Sequence, residues 1–143
     1  MTETLSALQD ALSTGRTTSE ALVEGALARA GTGEGPRVFT SLYGERALAA
    51  ARASDLMRKA GFVRSPLGGL PISIKVLFDV AGETTKAGSV ALDGAPVATA
   101  NAAIVDRLLA AGVVLVGRTN MTEFAFSGLG INPHYGTPLN PFD

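Results

Sequence analysis

A lysine set inside a short apolar strand constrains this chain more than any other feature. The stretch from Gly68 to Asp79 reads Gly-Gly-Leu-Pro-Ile-Ser-Ile-Lys-Val-Leu-Phe-Asp. Side chains alternate along a strand, so Ile72 and Ile74 point to one face while Ser73 and Lys75 share the other. The continuous apolar run from Leu70 to Phe78 predicts a strand covered on both faces. A lysine there is kept only when it is paired or has a task. The competing reading puts the strand at a sheet edge, where Lys75 reaches solvent and blocks edge-to-edge pairing.

The segments on either side place this strand in an α/β chain. Leu5, Leu8, Ala11 and Leu12 recur at helical spacing over Thr4 to Ser13, and Gly15 supplies a stop. Thr17 and Glu20 have capping-box spacing and open a second helix that ends at Gly31. After the break at residues 32–36, Val38, Phe39 and Leu42 predict a short extended passage. Glu45 to Lys59 is rich in helix formers and predicts the longest helix, with Arg58 and Lys59 at its C-terminal end and Gly61 beyond. Downstream of the lysine strand, residues 81–89 predict a polar, glycine-bearing loop. Ile104, Val105, Leu108 and Leu109 mark a helix over Asn101 to Ala111, followed by an aliphatic strand from Val113 to Val116. Strand, loop, helix and strand in succession predict a right-handed parallel crossover.

At Asn120 and Glu123, capping spacing recurs and predicts a short helix. Residues 127–143 carry glycines, asparagines and prolines without apolar periodicity. A tail of that kind predicts a chain that continues, because long structureless segments are uncommon in a finished domain.

Composition narrows the function classes. Charged residues are 17% of the 143 and the formal net charge is -1, so no basic patch for nucleic acid is expected. No cysteine is present, which removes thiolate nucleophiles and cysteine metal sites. No apolar run is long enough to span a bilayer and the N-terminus has no secretory pattern, so the expectation is a cytoplasmic protein with no membrane partner.

Five pieces of the chain, in order, then carry a resemblance. They are Gly69-Leu70-Pro71-Ile72-Ser73-Ile74-Lys75; Thr84-Thr85 with Gly88-Ser89; Val105-Asp106-Arg107-Leu108 with Ala111-Gly112; Gly117-Arg118-Thr119-Asn120-Met121-Thr122-Glu123-Phe124-Ala125; and Asn132 with Gly136-Thr137-Pro138 and Asn140-Pro141. Together they resemble the opening part of an amidase signature enzyme. The resemblance implies an α/β fold with a mixed sheet flanked by helices, and residues 1–143 as the N-terminal portion of one larger domain. Within it, residues 1–60 form a helical leader whose helices pack outside the sheet, and residues 61–143 begin the sheet and the active-site region. It also implies hydrolysis of a carboxamide by a Ser, cis-Ser, Lys triad, with Lys75 as the catalytic lysine and no cofactor or metal. Both serines of that triad would lie beyond Asp143, so the chain alone is expected to be inactive. The expected partners are a small-molecule amide and the C-terminal remainder of the domain, with a homodimer also compatible. Val76 departs from the family pattern, in which an aspartate often follows the lysine.

The chemistry fits the implied role. A lysine amine becomes a general base when desolvation removes its proton, and a serine hydroxyl needs such a base before it attacks a carbonyl. Met121 and Phe124 are candidates for a substrate pocket, although helix packing explains them equally. Ser73, Ser89 and Ser127 lack a nucleophile-elbow context. His134 has no carboxylate partner specified by the sequence, and Glu123 and Asp79 are explained by capping and by a strand-end turn. Two alternatives stand beside the amidase reading: a noncatalytic α/β module that needs a partner, and the amidase component of a transamidating complex.

Overall fold

The computed structural model describes residues 4–140. Its elements run α1 (Leu5–Ser13), α2 (Ser19–Ala30), a single turn α3 (Gly35–Val38), β1 (Phe39–Leu42), α4 (Gly44–Lys59), β2 (Pro71–Lys75), α5 (Ala103–Ala110) and β3 (Val114–Thr119). The three strands form one mixed sheet in the order β1-β3-β2, with β2 parallel and β1 antiparallel to β3. The fold is therefore α/β, with β2 and β3 as neighbours joined through α5.

Two apolar layers enclose the sheet. Val114 and Val116 pack with Val23 of α2 and Ala47 and Ala51 of α4. On the opposite face Val113, Leu115 and Ile74 pack with Val105 of α5 and Val80. Alternation along β3 thus sends successive valines and leucines to opposite layers, which is why the strand reads as an unbroken aliphatic run.

Several local expectations shift. The cap of α2 is Thr18, whose hydroxyl oxygen accepts from the Ala21 N–H at 3.1 Å. Glu20 does not reach back to Thr17; it pairs with Arg52 of α4 at 2.6 Å. The remaining N-terminal donors of α2 go to α4 as well, since Asp55 accepts from the N–H groups of Ser19 and Glu20 at 2.8 and 3.0 Å. A helix start that lacks internal acceptors is satisfied by its neighbour, which fixes how the two helices dock. The N-terminal helices pack outside the sheet, and the short extended passage expected between them is β1, its antiparallel edge. β1 approaches β3 so closely that a Cβ at Gly117 would collide with the Ser41 carbonyl oxygen, so this strand position accepts no side chain.

Among the described residues β2 is the lateral edge of the three-stranded sheet. Regular pairing stops at Lys75, and Leu77 and Phe78 are exposed in the turn that follows. The parallel ladder closes at Lys75 opposite Thr119, which brings the C-terminal ends of both strands to the same side of the sheet.

Candidate active site

Parallel strands in open α/β sheets place ligands beyond their C-terminal ends. Here that edge is built from four short segments held by backbone hydrogen bonds. The Val76 N–H donates to the Thr119 carbonyl at 2.9 Å, and the Val76 carbonyl accepts from the Ala87 N–H at 3.2 Å. The Ala87 carbonyl in turn accepts from the Phe124 N–H at 2.8 Å. The residue after Lys75 is thereby tied to the loop at residues 84–89 and to the segment after β3. Val76 itself is buried, so at this position an apolar side chain packs beneath the edge.

The web demands unusual backbone. Ala87, Phe124 and Ala125 all have positive φ, as does Gly88 between Ala87 and Ser89. Such conformations outside glycine persist where the surroundings over-determine them, and they gather at functional sites. A Cβ at Gly88 would lie 2.8 Å from the Met121 carbonyl oxygen and 3.0 Å from Asn132 Nδ2, so glycine is required for both its φ and its neighbours.

Asn132 holds the edge from beneath. Fully buried, it donates through Nδ2 to the carbonyls of Gly88 and Met121 at 2.8 and 2.7 Å. Its Oδ1 accepts from the His134 and Tyr135 N–H groups at 2.8 and 3.0 Å, the pattern of an Asx turn. Asn120 does not cap a helix. Its amide donates to the carbonyls of Arg37 and Gly136, and residues 123–125 form a single 3-10 turn without a side-chain cap. Glu123 is likewise not a capping residue: its Oε1 accepts from Ser89 Oγ at 2.5 Å and lies 3.1 Å from His134 Nε2. The Ser89 hydrogen bond, reinforced by His134, holds the Glu123 carboxyl below the usual carboxylate range. His134 thus has a carboxylate partner, but the serine donates to that carboxylate and not to the imidazole. A nucleophilic triad requires the opposite order.

Lys75 lies at the C-terminal end of β2 and is exposed. Lys86 nearby pairs with Asp93 at 2.8 Å, whereas among the described residues the Lys75 amine has no acceptor. The apolar strand around Lys75 does not cover it: Lys75 is the last residue of β2, and the turn that follows is itself exposed. Met121 and Phe124 are both brought to this end of the sheet but part company there. Met121 is only 4% exposed and packs inward, while Phe124 is 54% exposed. Asp79 accepts from Thr85 Oγ1 at 2.5 Å, as a strand-end turn predicts. Among the described residues no cluster of three histidine, cysteine or acidic side chains stands close enough to hold a metal ion, and no helix is long and apolar enough to cross a membrane.

A charged group that the residue pattern did not single out lies behind the turn that follows Lys75. Arg118, 2% exposed, extends β3 past its aliphatic run; it pairs with Glu83 at 2.8 Å and donates to the Phe78 carbonyl at 2.6 Å. Tyr43 also donates to Glu83, at 2.8 Å. Burial, reinforced by that carboxylate, pushes the Tyr43 phenol up to about 12. A phenol raised above its unfolded value of about 10 contributes stability that is complete below pH 10 and is lost as pH rises through 12. The stability difference between wild type and Tyr43→Phe is therefore expected to shrink between pH 10 and 12, as measured by urea unfolding at each pH. A constant difference across that range would refute the coupling.

The family model described as Amidase matches residues 21–143. The chain belongs to the amidase family. It is 45% identical over 135 residues to a component of the 1-carboxybiuret hydrolase of Pseudomonas sp. (strain ADP), covering 94% of this chain and 30% of that protein. It is 44% identical over 141 residues to a component of the glutamyl-tRNA(Gln) amidotransferase of Chloroflexus aggregans, covering 98% of this chain and 29% of that protein. Among solved structures it is similar to native peptide amidase from Stenotrophomonas maltophilia, with a TM-score of 0.83 and 32% identity over 97% of this chain and 30% of that one. The chain thus spans about 30% of the length of the amidase relatives it matches.

Proposed function

We propose that the complete protein hydrolyses the carbon-nitrogen bond of a small carboxamide, with Lys75 as the general base. The observation that carries this reading is the position of Lys75: an amine without an acceptor among the described residues, at the C-terminal edge of a parallel strand pair, in a chain of the amidase family. On this reading the neutral amine takes a proton from a bridging serine, which takes one from the nucleophilic serine as its oxygen attacks the carbonyl carbon. The carbon-nitrogen bond breaks, the leaving nitrogen receives the proton, and water then releases the acid from the acyl-enzyme. On the same reading both serines, and the surroundings that dehydrate Lys75, come from the rest of the domain. Phe124, exposed beside this edge, is available to the apolar part of the substrate.

The 1-carboxybiuret hydrolase relative favours a urea-derived amide. The amidotransferase relatives favour a second reading, in which the protein is the amidase component of a transamidating complex working in the cytoplasm. Ammonia release by the complete protein separates them. Turnover of small carboxamides by the protein alone supports the first, and release from glutamine only with partner proteins present supports the second. No release under either condition refutes both. The 143-residue chain by itself is expected to show no turnover above its Lys75→Ala control.

A further inference from the structure

A second site lies at the opposite end of the strands from Lys75. A cavity of about 240 Å3 opens between α4, the loop at residues 61–68 and the end of α5, with Val113 and Val114 at the start of β3 as part of its floor. Its walls are apolar, with Ala53, Met57, Phe62, Val63 and Leu109 among them. Two cations line the same space, Arg58 and Arg64, and no acidic side chain does. The nearest candidate partners are committed or set apart. Asp55 accepts from the start of α2, and Asp10 lines the neighbouring open groove with Arg58 without forming an ion pair.

Arg58 is incompletely satisfied. Its Nη2 donates to the Gly68 carbonyl at 2.7 Å, which fixes the guanidinium against the loop that leads into β2. Its Nε is buried and has no acceptor among the described residues. That Nε is closed off from the cavity, so it is the Nη end of Arg58, held in place by Gly68, that faces a ligand, and a planar fork of donors is matched by a carboxylate. The Arg64 stem packs against the backbone at Gly112 and adds a second positive charge at the mouth.

We propose that this cavity binds a small carboxylate with one apolar body, a phenyl ring or a short alkyl chain, whose carboxylate accepts from Arg58. The volume suits that class, since an apolar cavity of about 150 Å3 already holds benzene. The cavity lies at the start of β3 and Lys75 sits opposite its end, about 15–20 Å away at strand rise. Occupancy is thus independent of the catalytic edge, and it does not depend on the amidase reading.

The test is calorimetric titration of benzoate, hexanoate and the neutral isostere benzyl alcohol into the complete protein. Saturable one-to-one binding of a carboxylate is expected, at least tenfold weaker for benzyl alcohol and at least tenfold weaker in Arg58→Met. Ala53→Phe, which keeps the guanidinium and fills the cavity, is expected to abolish binding. Lys75→Ala is expected to leave it unchanged, which distinguishes the site from an acid product held at the strand ends. Absence of saturable binding, equal affinity for benzyl alcohol, persistence in Ala53→Phe or loss in Lys75→Ala would each overturn the proposal.

Discussion

Lys75→Ala in the complete protein is expected to lower kcat by at least about a hundredfold to ten-thousandfold, the usual contribution of a general base, and by more if the triad acts as a unit. The fold should survive. Among the described residues the Lys75 amine makes no hydrogen bond or ion pair, so truncation breaks no contact within this part of the domain. Lys75→Arg is the sharper variant. It keeps the positive charge and most of the reach, but a guanidinium cannot give up its proton in a protein and so cannot serve as base. Equal loss in both variants, with unchanged unfolding midpoints, supports general-base catalysis. Retention of most of the activity in Lys75→Arg would reduce Lys75 to an electrostatic cation, and the edge-strand reading of its sequence would suffice.

That pair of outcomes bears on what the residues alone make legible. Apolar periodicity locates α1, α2, α4, α5 and both parallel strands, because burial against a sheet leaves the same imprint wherever it occurs. Whether β2 is central or at an edge leaves no such imprint. Leu77 and Phe78 extend its apolar run, yet they lie exposed in a turn, and a run of apolar letters does not say where pairing stops. Capping spacing misleads at Asn120 and Glu123 for a related reason. Both side chains have strong long-range partners, in Gly136 and Ser89, that outcompete a local cap. Asn132 carries a legible signal in its Asx-turn context, followed by Pro133 and His134, but its contacts to Gly88 and Met121 span the chain and no local pattern encodes them. Arg118 escapes notice when the strand is expected to end at Val116. Like Lys75, it is a cation at the end of an aliphatic run, and two more residues of strand carry it into the interior.

Arg118 gives the second large effect. Removing its partner by Glu83→Ala is expected to cost about 3–5 kcal/mol, because it leaves an almost fully buried guanidinium with only the Phe78 carbonyl. Its Nε already lacks an acceptor, so no spare hydrogen bond compensates. Arg46 and Tyr43 lose the same carboxylate, at 3.7 and 2.8 Å, though both are more exposed and contribute less. Replacing both charges at once, as Glu83→Leu with Arg118→Met, should recover most of that loss, because an apolar pair of similar volume carries no desolvation cost. The double variant still lacks the donor that held the Phe78 carbonyl, three residues after Lys75. Amide exchange at residues 76–79 should therefore be faster than in wild type even where global stability is restored. A cost below about 1 kcal/mol for Glu83→Ala would mean that water reaches the guanidinium and that the turn after Lys75 is held by its backbone contacts to Thr119 and Ala87 alone.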